Sequence, residues 1–175
     1  VLDQFAVETN RRQLAMQKLA QLANYDTLTG LGNRRLFNES LQRAVRATRS
    51  PRQLGALLYI DLDDFKLIND RYGHAFGDEL LKYAARRMSA LVPIEGATAG
   101  RIGGDEFAVL LDRIEVAAEA YELADALIAS LGETFTIQDK PFRIRASIGI
   151  ALIRHDSPDA ATVMRQADEA MYVAK

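Results

Sequence analysis

The sequence predicts an α/β fold in which helices flank a mixed, partly antiparallel central sheet, with one further helix at the N-terminal end. Three observations lead there. Leu54–Leu62 is an almost continuous apolar run of strand length, the pattern of a central strand covered on both faces. Residues 98–102 and 107–112 flank the segment Gly103 to Glu106 in the manner of a hairpin, so at least one strand pair is antiparallel. Strand-type and helix-type segments also alternate along the 175 residues, which sets helical layers against a sheet.

The elements follow in order. Residues 1–23 contain no Gly or Pro and are rich in Leu, Ala, Gln and Arg, so they form one helix. Its 3-4 stepping through Leu2, Phe5, Thr9, Arg12, Met16, Leu19 and Ala23 resembles a heptad seam interrupted at Thr9 and Arg12. Packing on its own domain and service as a coiled-coil linker both remain open. The sequence starts inside this helix, with no initiator Met or signal-peptide pattern, and reads as an excised piece. A Gly-rich turn over residues 25–33 leads to a helix at 34–48, stopped by Ser50-Pro51. After the apolar strand come a short helix at 64–71, a longer one at 77–91 ending before Pro93, and the hairpin. A helix at 116–131, strands at 134–138 and 143–153, and an amphipathic helix at 159–175 complete the chain. The expected division is a signalling or linker helix at 1–24 and one domain at 25–175.

Composition narrows the chemistry. With 49% hydrophobic and 26% charged residues the chain can bury a core, and no apolar run approaches the ~18 residues of a membrane span. The absence of Cys excludes disulfide frameworks, zinc-thiolate sites and thiol nucleophiles, and His74 and His155 are too few for a multi-histidine metal site. His74 is assigned a structural role and His155 a surface loop. Twenty-two basic against twenty-four acidic residues leave a net charge of −2, which favours neither nucleic acid nor an anionic membrane as partner. Carboxylates, hydroxyls, Lys, Arg or a hard metal must carry any reaction.

Two acidic clusters stand out. Asp61 closes the apolar run Leu57-Leu58-Tyr59-Ile60, where an ionised carboxylate needs a cation or hydrogen-bond donors. Asp105 and Glu106 follow Gly103-Gly104, where missing side chains let backbone or substrate come close. Alone, each cluster is commonly a solvated strand end or turn. If the two segments are sheet neighbours, Asp61 and Asp105 converge, and converging carboxylates call for a cation. Hard oxygen ligands suit Mg2+ or Mn2+ completed by substrate phosphates, the outline of a two-carboxylate phosphoryl-transfer site.

The segment Arg101-Ile102-Gly103-Gly104-Asp105-Glu106-Phe107 resembles the signature of the GGDEF domains, the family of diguanylate cyclases. Further similar motifs stand in family order: Asp26-Thr27-Leu28-Thr29-Gly30-Leu31, Asp61-Leu62-Asp63-Asp64-Phe65-Lys66 with Ile68-Asn69-Asp70, Gly73-His74, Gly77-Asp78, Ala146-Ser147-Ile148-Gly149-Ile150, and Ala167-Asp168 with Met171-Tyr172 and Lys175. The resemblance covers residues 25–175. It implies a fold similar to class III nucleotide cyclases and polymerase palms, and condensation of two GTP into cyclic di-GMP and pyrophosphate by a homodimer of half-sites with Mg2+.

By resemblance, Asp61, the Leu62 carbonyl and Asp105 hold the metal, with Asp105 and Glu106 the catalytic positions and Glu106 supporting the metal or proton transfer. Asp105 stands where many relatives carry Glu. Asp78 reads guanine with Asn69 as partner, since one carboxylate accepts from both N1–H and the exocyclic amine, a pairing adenine cannot offer. The amides of Phe65 and Lys66 and the side chain of Lys175 take the phosphates. Relatives share that task with an arginine beyond the position of Lys175. Read without the resemblance, Asp78 is also a plausible N-cap, Asn69 a helix-end residue and Lys175 a complement to a helix dipole.

One departure is informative: Ile94-Glu95-Gly96-Ala97 stands where many cyclases carry the Arg-x-x-Asp product-inhibition motif, so no inhibition through that site is expected. Asp26 is expected to pair with Arg34 or Arg35 at the helix–domain junction. The implied setting is cytoplasmic with an upstream sensor domain, any membrane anchor lying elsewhere in the full-length protein. In the alternative reading the chain is a GTP-binding regulatory module for an attached downstream EAL phosphodiesterase domain.

Overall fold

The central strand β1 (Leu54–Leu62) organises the molecule: eight of its nine residues are buried, as its apolar run demands. The computed structural model describes residues 2–175, with side-chain surroundings from residue 6 onward. On one side β1 pairs with β3 (Glu106–Ile114), on the other with β6 (Ala146–Ile153), and β2 (Ala97–Arg101) adds to the outer edge of β3. The resulting order is β2-β3-β1-β6. All three pairings are antiparallel, and the parallel component expected of a mixed sheet is confined to an isolated bridge between Gly32 and Gly100.

Alternation along β1 divides the core between the sheet's two faces. Leu58, Ile60 and Leu62 join Phe107 and Val109 beneath α3 (Phe65–Tyr72), α4 (His74–Leu91) and α5 (Ala118–Leu131). Leu57 and Tyr59 join Ala108 and Leu110 beneath α2 (Arg34–Ala47) and α6 (Ala160–Ala174). Phe107 is fully buried, and its truncation to Ala costs about 3–5 kcal/mol. At Gly149 a Cβ would lie 2.0 Å from the Ala167 carbonyl oxygen and 2.1 Å from the Met171 nitrogen. Only glycine lets α6 rest directly on the β6 backbone.

Local chemistry moves two expected boundaries. Gly73, at φ 87°, ends α3 and begins α4, so the second helix starts at His74 rather than residue 77. Asp78 therefore lies within α4, which removes its reading as an N-cap. Gln138 and Asp139, both at positive φ, turn the chain between β4 (Phe135–Ile137) and β5 (Lys140–Phe142). The strand expected at 134–138 is thus β4, β5 is its unexpected partner in a small separate sheet, and residues 143–145 of the strand expected over 143–153 are irregular, so β6 begins only at Ala146.

The N-terminal helix α1 (Leu2–Asn24) stands apart: every side chain from residue 6 to residue 23 is exposed. It is fastened at its end, where Asn33 Nδ2 and Arg35 Nε donate to the Ala23 carbonyl at 2.8 and 3.1 Å. Among the described residues, no helix is long and apolar enough to cross a membrane.

Candidate active site

The register of β1 against β3 sets Asp61 opposite Glu106, and the Leu62 amide donates to the Asp105 carbonyl at 3.1 Å. The two acidic clusters thus meet at one end of the sheet. Asp61 is buried, and its carboxylate accepts from Lys175 Nζ, at the end of α6, at 2.8 Å. Burial, and then the charge of Asp61, push the Asp105 carboxyl above the usual carboxylate range. Lys175 moves up in turn, first through its hydrogen bond to Asp61.

Two carboxylates brought to one sheet end favour a cation beside them, and Lys175 already supplies one to Asp61. Among the described residues, no three His, Cys, Asp or Glu side chains gather to hold a metal. A metal here would draw on the Asp61 and Asp105 carboxylates and the Leu62 carbonyl, hard oxygen donors of the kind that fit Mg2+ or Mn2+.

Glu106 faces another way. Its Oε2 lies only 2.3 Å from where a Gly103 Cβ would be, so the side chain folds back beneath the glycine turn. There it meets the Tyr59 hydroxyl, and burial lifts its pKa while that hydrogen bond partly offsets the lift. Tyr59 is itself pushed well up by burial and by the Glu106 charge. Sequence reasoning missed Tyr59. Its parity with Asp61 on β1 was the available signal, since both project to the α2/α6 face.

The loop after Asp61 is held from β6. Asp63 N–H donates to the Arg145 carbonyl at 2.9 Å, and Ser147 Oγ donates to Asp63 Oδ1 at 2.9 Å. Asp64 then adopts φ 59° and offers α3 no side-chain cap. The first amide to return to Asp64 is that of Ile68, so the Phe65 and Lys66 amides at the helix start are free for an anion.

On the far side, Asn69 and Gly77 meet where α3 packs on α4: a Cβ on Gly77 would lie 1.9 Å from Asn69 Oδ1. That oxygen is buried without a hydrogen-bond partner. Asp78 follows Gly77 and is exposed beside it. An orphan acceptor next to a free carboxylate suits a ligand edge rich in N–H donors, such as that of guanine.

The Gly103-Gly104 turn is braced by Arg101. Its Nε and Nη2 donate to the Gly104 carbonyl at 3.2 and 2.8 Å, and its Nη1 contacts both Asp26 oxygens at 3.2 and 3.3 Å. Asp26 therefore pairs with Arg101 rather than with Arg34 or Arg35, because Arg35 is spent capping α1 and pairing with Glu39. Despite burial, hydrogen bonds from Thr29 and the Arg101 charge hold the Asp26 carboxyl below its ordinary value. Sequence-local reasoning could not see a partner 75 positions away.

Comparison with known proteins agrees with this geometry. The family model described as "Diguanylate cyclase, GGDEF domain" matches residues 23–175. The chain is 40% identical over 176 residues to the diguanylate cyclase TpbB of Pseudomonas aeruginosa, covering all of this chain and 40% of TpbB. It is 43% identical over 162 residues to the bifunctional diguanylate cyclase/cyclic di-GMP phosphodiesterase MucR of the same organism, covering 92% of this chain and 23% of MucR. It thus spans less than half the length of either relative. Among solved structures, the isolated GGDEF domain of TpbB superimposes with a TM-score of 0.81 at 41% identity, over 86% of this chain and 88% of that one. The coiled coil and GGDEF domain of DgcB from Caulobacter crescentus, solved with c-di-GMP, reaches a TM-score of 0.88 at 26% identity, over 98% and 91% of the two chains. The chain belongs to the GGDEF domain family of diguanylate cyclases.

Proposed function

We propose that this chain binds GTP with Mg2+ and, as a homodimer, joins two GTP into cyclic di-GMP with release of two pyrophosphates. The observation that carries this reading is the convergence of Asp61 and Asp105 at one sheet end, with Lys175 beside them. Asp61, the Leu62 carbonyl and Asp105 would hold the metal. When bound, it neutralises phosphate charge and favours deprotonation of the attacking 3′-hydroxyl. The free amides of Phe65 and Lys66 and the Lys175 ammonium bind the phosphates. Asn69 accepts from guanine N–H while Asp78 takes the rest of that edge, which excludes adenine. Glu106, turned toward Tyr59, supports the strand end that presents Asp105.

One chain holds one nucleotide, so each ring-closing attack needs a second chain facing the first. Positioning two bound nucleotides head to tail makes each attack effectively unimolecular. The exposed helix α1 is the element through which an upstream sensor domain would set that facing geometry. Residues 94–97 carry no Arg-x-x-Asp motif, and with it goes that route of product inhibition.

The test is incubation with GTP and Mg2+ at high protein concentration, scored for cyclic di-GMP and pyrophosphate. Both products are expected in a 1:2 ratio. GTP binding without either product rejects the cyclase assignment in favour of a regulatory module.

A further inference from the structure

The ammonium of Lys175 occupies the coordination space of a carboxylate that the proposed reading assigns to metal. Its Nζ stands 2.8 Å from Asp61 Oδ1, a charge-assisted hydrogen bond, and the Asp61 side chain is only 10% exposed. The Lys175 side chain is 43% exposed, so its head can leave this partner while its backbone stays in place. That backbone is fixed: the Lys175 amide bonds to the Met171 carbonyl at 3.2 Å, and Met171 sits on Gly149 of β6.

This arrangement makes a bare metal ion an unfavourable guest. To reach Asp61 it must shed water and also displace an ammonium whose other neighbouring anions, Asp105 and Asp63, belong to the same acidic cluster. A divalent ion arriving with a polyphosphate meets a different balance. The phosphates offer the ammonium new acceptors as the metal takes over Asp61, so charge compensation is exchanged and never lost.

We infer that Lys175 is an exchangeable counter-ion, paired with Asp61 before nucleotide arrives and passed to the substrate's phosphates on loading, so that divalent metal enters only together with nucleotide. The inference rests on the metal and phosphate roles proposed above and adds the coupling between them. Linkage makes the coupling mutual: metal must raise nucleotide affinity by the same factor by which nucleotide raises metal affinity.

Mn2+ titration, with free ion followed by electron paramagnetic resonance, tests this without turnover. The wild-type chain should bind Mn2+ alone poorly and take up one equivalent when a non-hydrolysable GTP analogue is present. Lys175→Met, which keeps length and removes charge, should bind Mn2+ alone at least ~10-fold more tightly, since a positive charge near 4 Å is gone. Lys175→Arg should behave as wild type, and adding Asp61→Asn to Lys175→Met should abolish the gained site. Equal metal-only affinity in wild type and Lys175→Met, with nucleotide-dependent uptake intact, overturns the exchange alone. Absence of Mn2+ uptake with the nucleotide in the wild type overturns the metal assignment as well.

Discussion

The two ends of the candidate site are prepared in opposite ways. Where α3 meets α4, Asn69 Oδ1 is buried without a partner, against a glycine that leaves it just enough room. At the sheet end most charges already have partners: Asp61 has Lys175, Asp63 has Ser147, and Arg101 has Asp26 and the Gly104 carbonyl, while Asp105 stays strained by burial and the Asp61 charge. A buried unsatisfied acceptor costs roughly 1–3 kcal/mol, and a base that donates to it returns that energy on binding. On the proposed reading the sheet end offers no such gain and would trade one cation for another. The Asn69 end would then supply affinity, while the charged end would decide what enters with the base.

The largest expected break in this contrast is at Asp105. If the proposed metal site holds, Asp105→Asn should lower turnover by roughly 1,000-fold, measured as pyrophosphate release, because the site would lose a ligand's charge. The same substitution should raise the melting temperature at neutral pH by about 2 °C. The sign follows from the raised carboxyl: between its unfolded and folded pKa the folded state holds a proton that the unfolded state releases, so stability falls as pH rises. The amide is free of that loss. An unchanged or lower melting temperature would deny that burial and the Asp61 charge penalise the ionised Asp105 carboxyl.

Gly77→Ala tests the other end. A methyl group 1.9 Å from Asn69 Oδ1 must push the amide aside. We expect about 1–3 kcal/mol of destabilisation by denaturant titration and a GTP affinity reduced ~10-fold or more, with metal-only binding unaffected. Unaltered GTP affinity would remove Asn69 from the purine site.

The smallest effect lies at Asp26. Its lowered carboxyl pKa stabilises the folded state above the unfolded value, and that contribution is lost as pH falls through the folded one. Asp26→Asn should therefore cost about 1 kcal/mol at pH 7 and flatten the acid limb of the stability profile below about pH 4. Retention of the full acid limb would show that the Asp26–Arg101 pair contributes nothing to it.

Legibility in the sequence followed the range of the interactions. The buried strand β1 was plain because burial on both faces leaves a mark in every residue of the run. Asp61 and Asp105 could be named, but their meeting depended on a register that no local pattern encodes. The start of α4 was missed because Gly73 serves two helices and no capping side chain announces the second. The β4–β5 hairpin was hidden for a similar reason, since Gln138-Asp139 takes up positive φ without the usual glycine. The partner of Asp26 and the Tyr59–Glu106 contact are tertiary and became visible only when strands and helices were set side by side.

The isolation of α1 has a mechanical side. Its 23 residues make a rod of about 35 Å, exposed from residue 6 to residue 23 and clamped at one end by Asn33 and Arg35. Pivoting there by 10° sweeps the far end of the helix through about 6 Å, on the scale of one helical turn. Two such rods gripped together at their tips would act as a pair of long handles, converting a register slip far from the domains into a modest rotation at the clamp. Asp26 lies just past that clamp and holds Arg101, which braces the turn before Asp105. A few ångströms of travel upstream would thus reach the chemistry as an angle, geared down by the length of the arm.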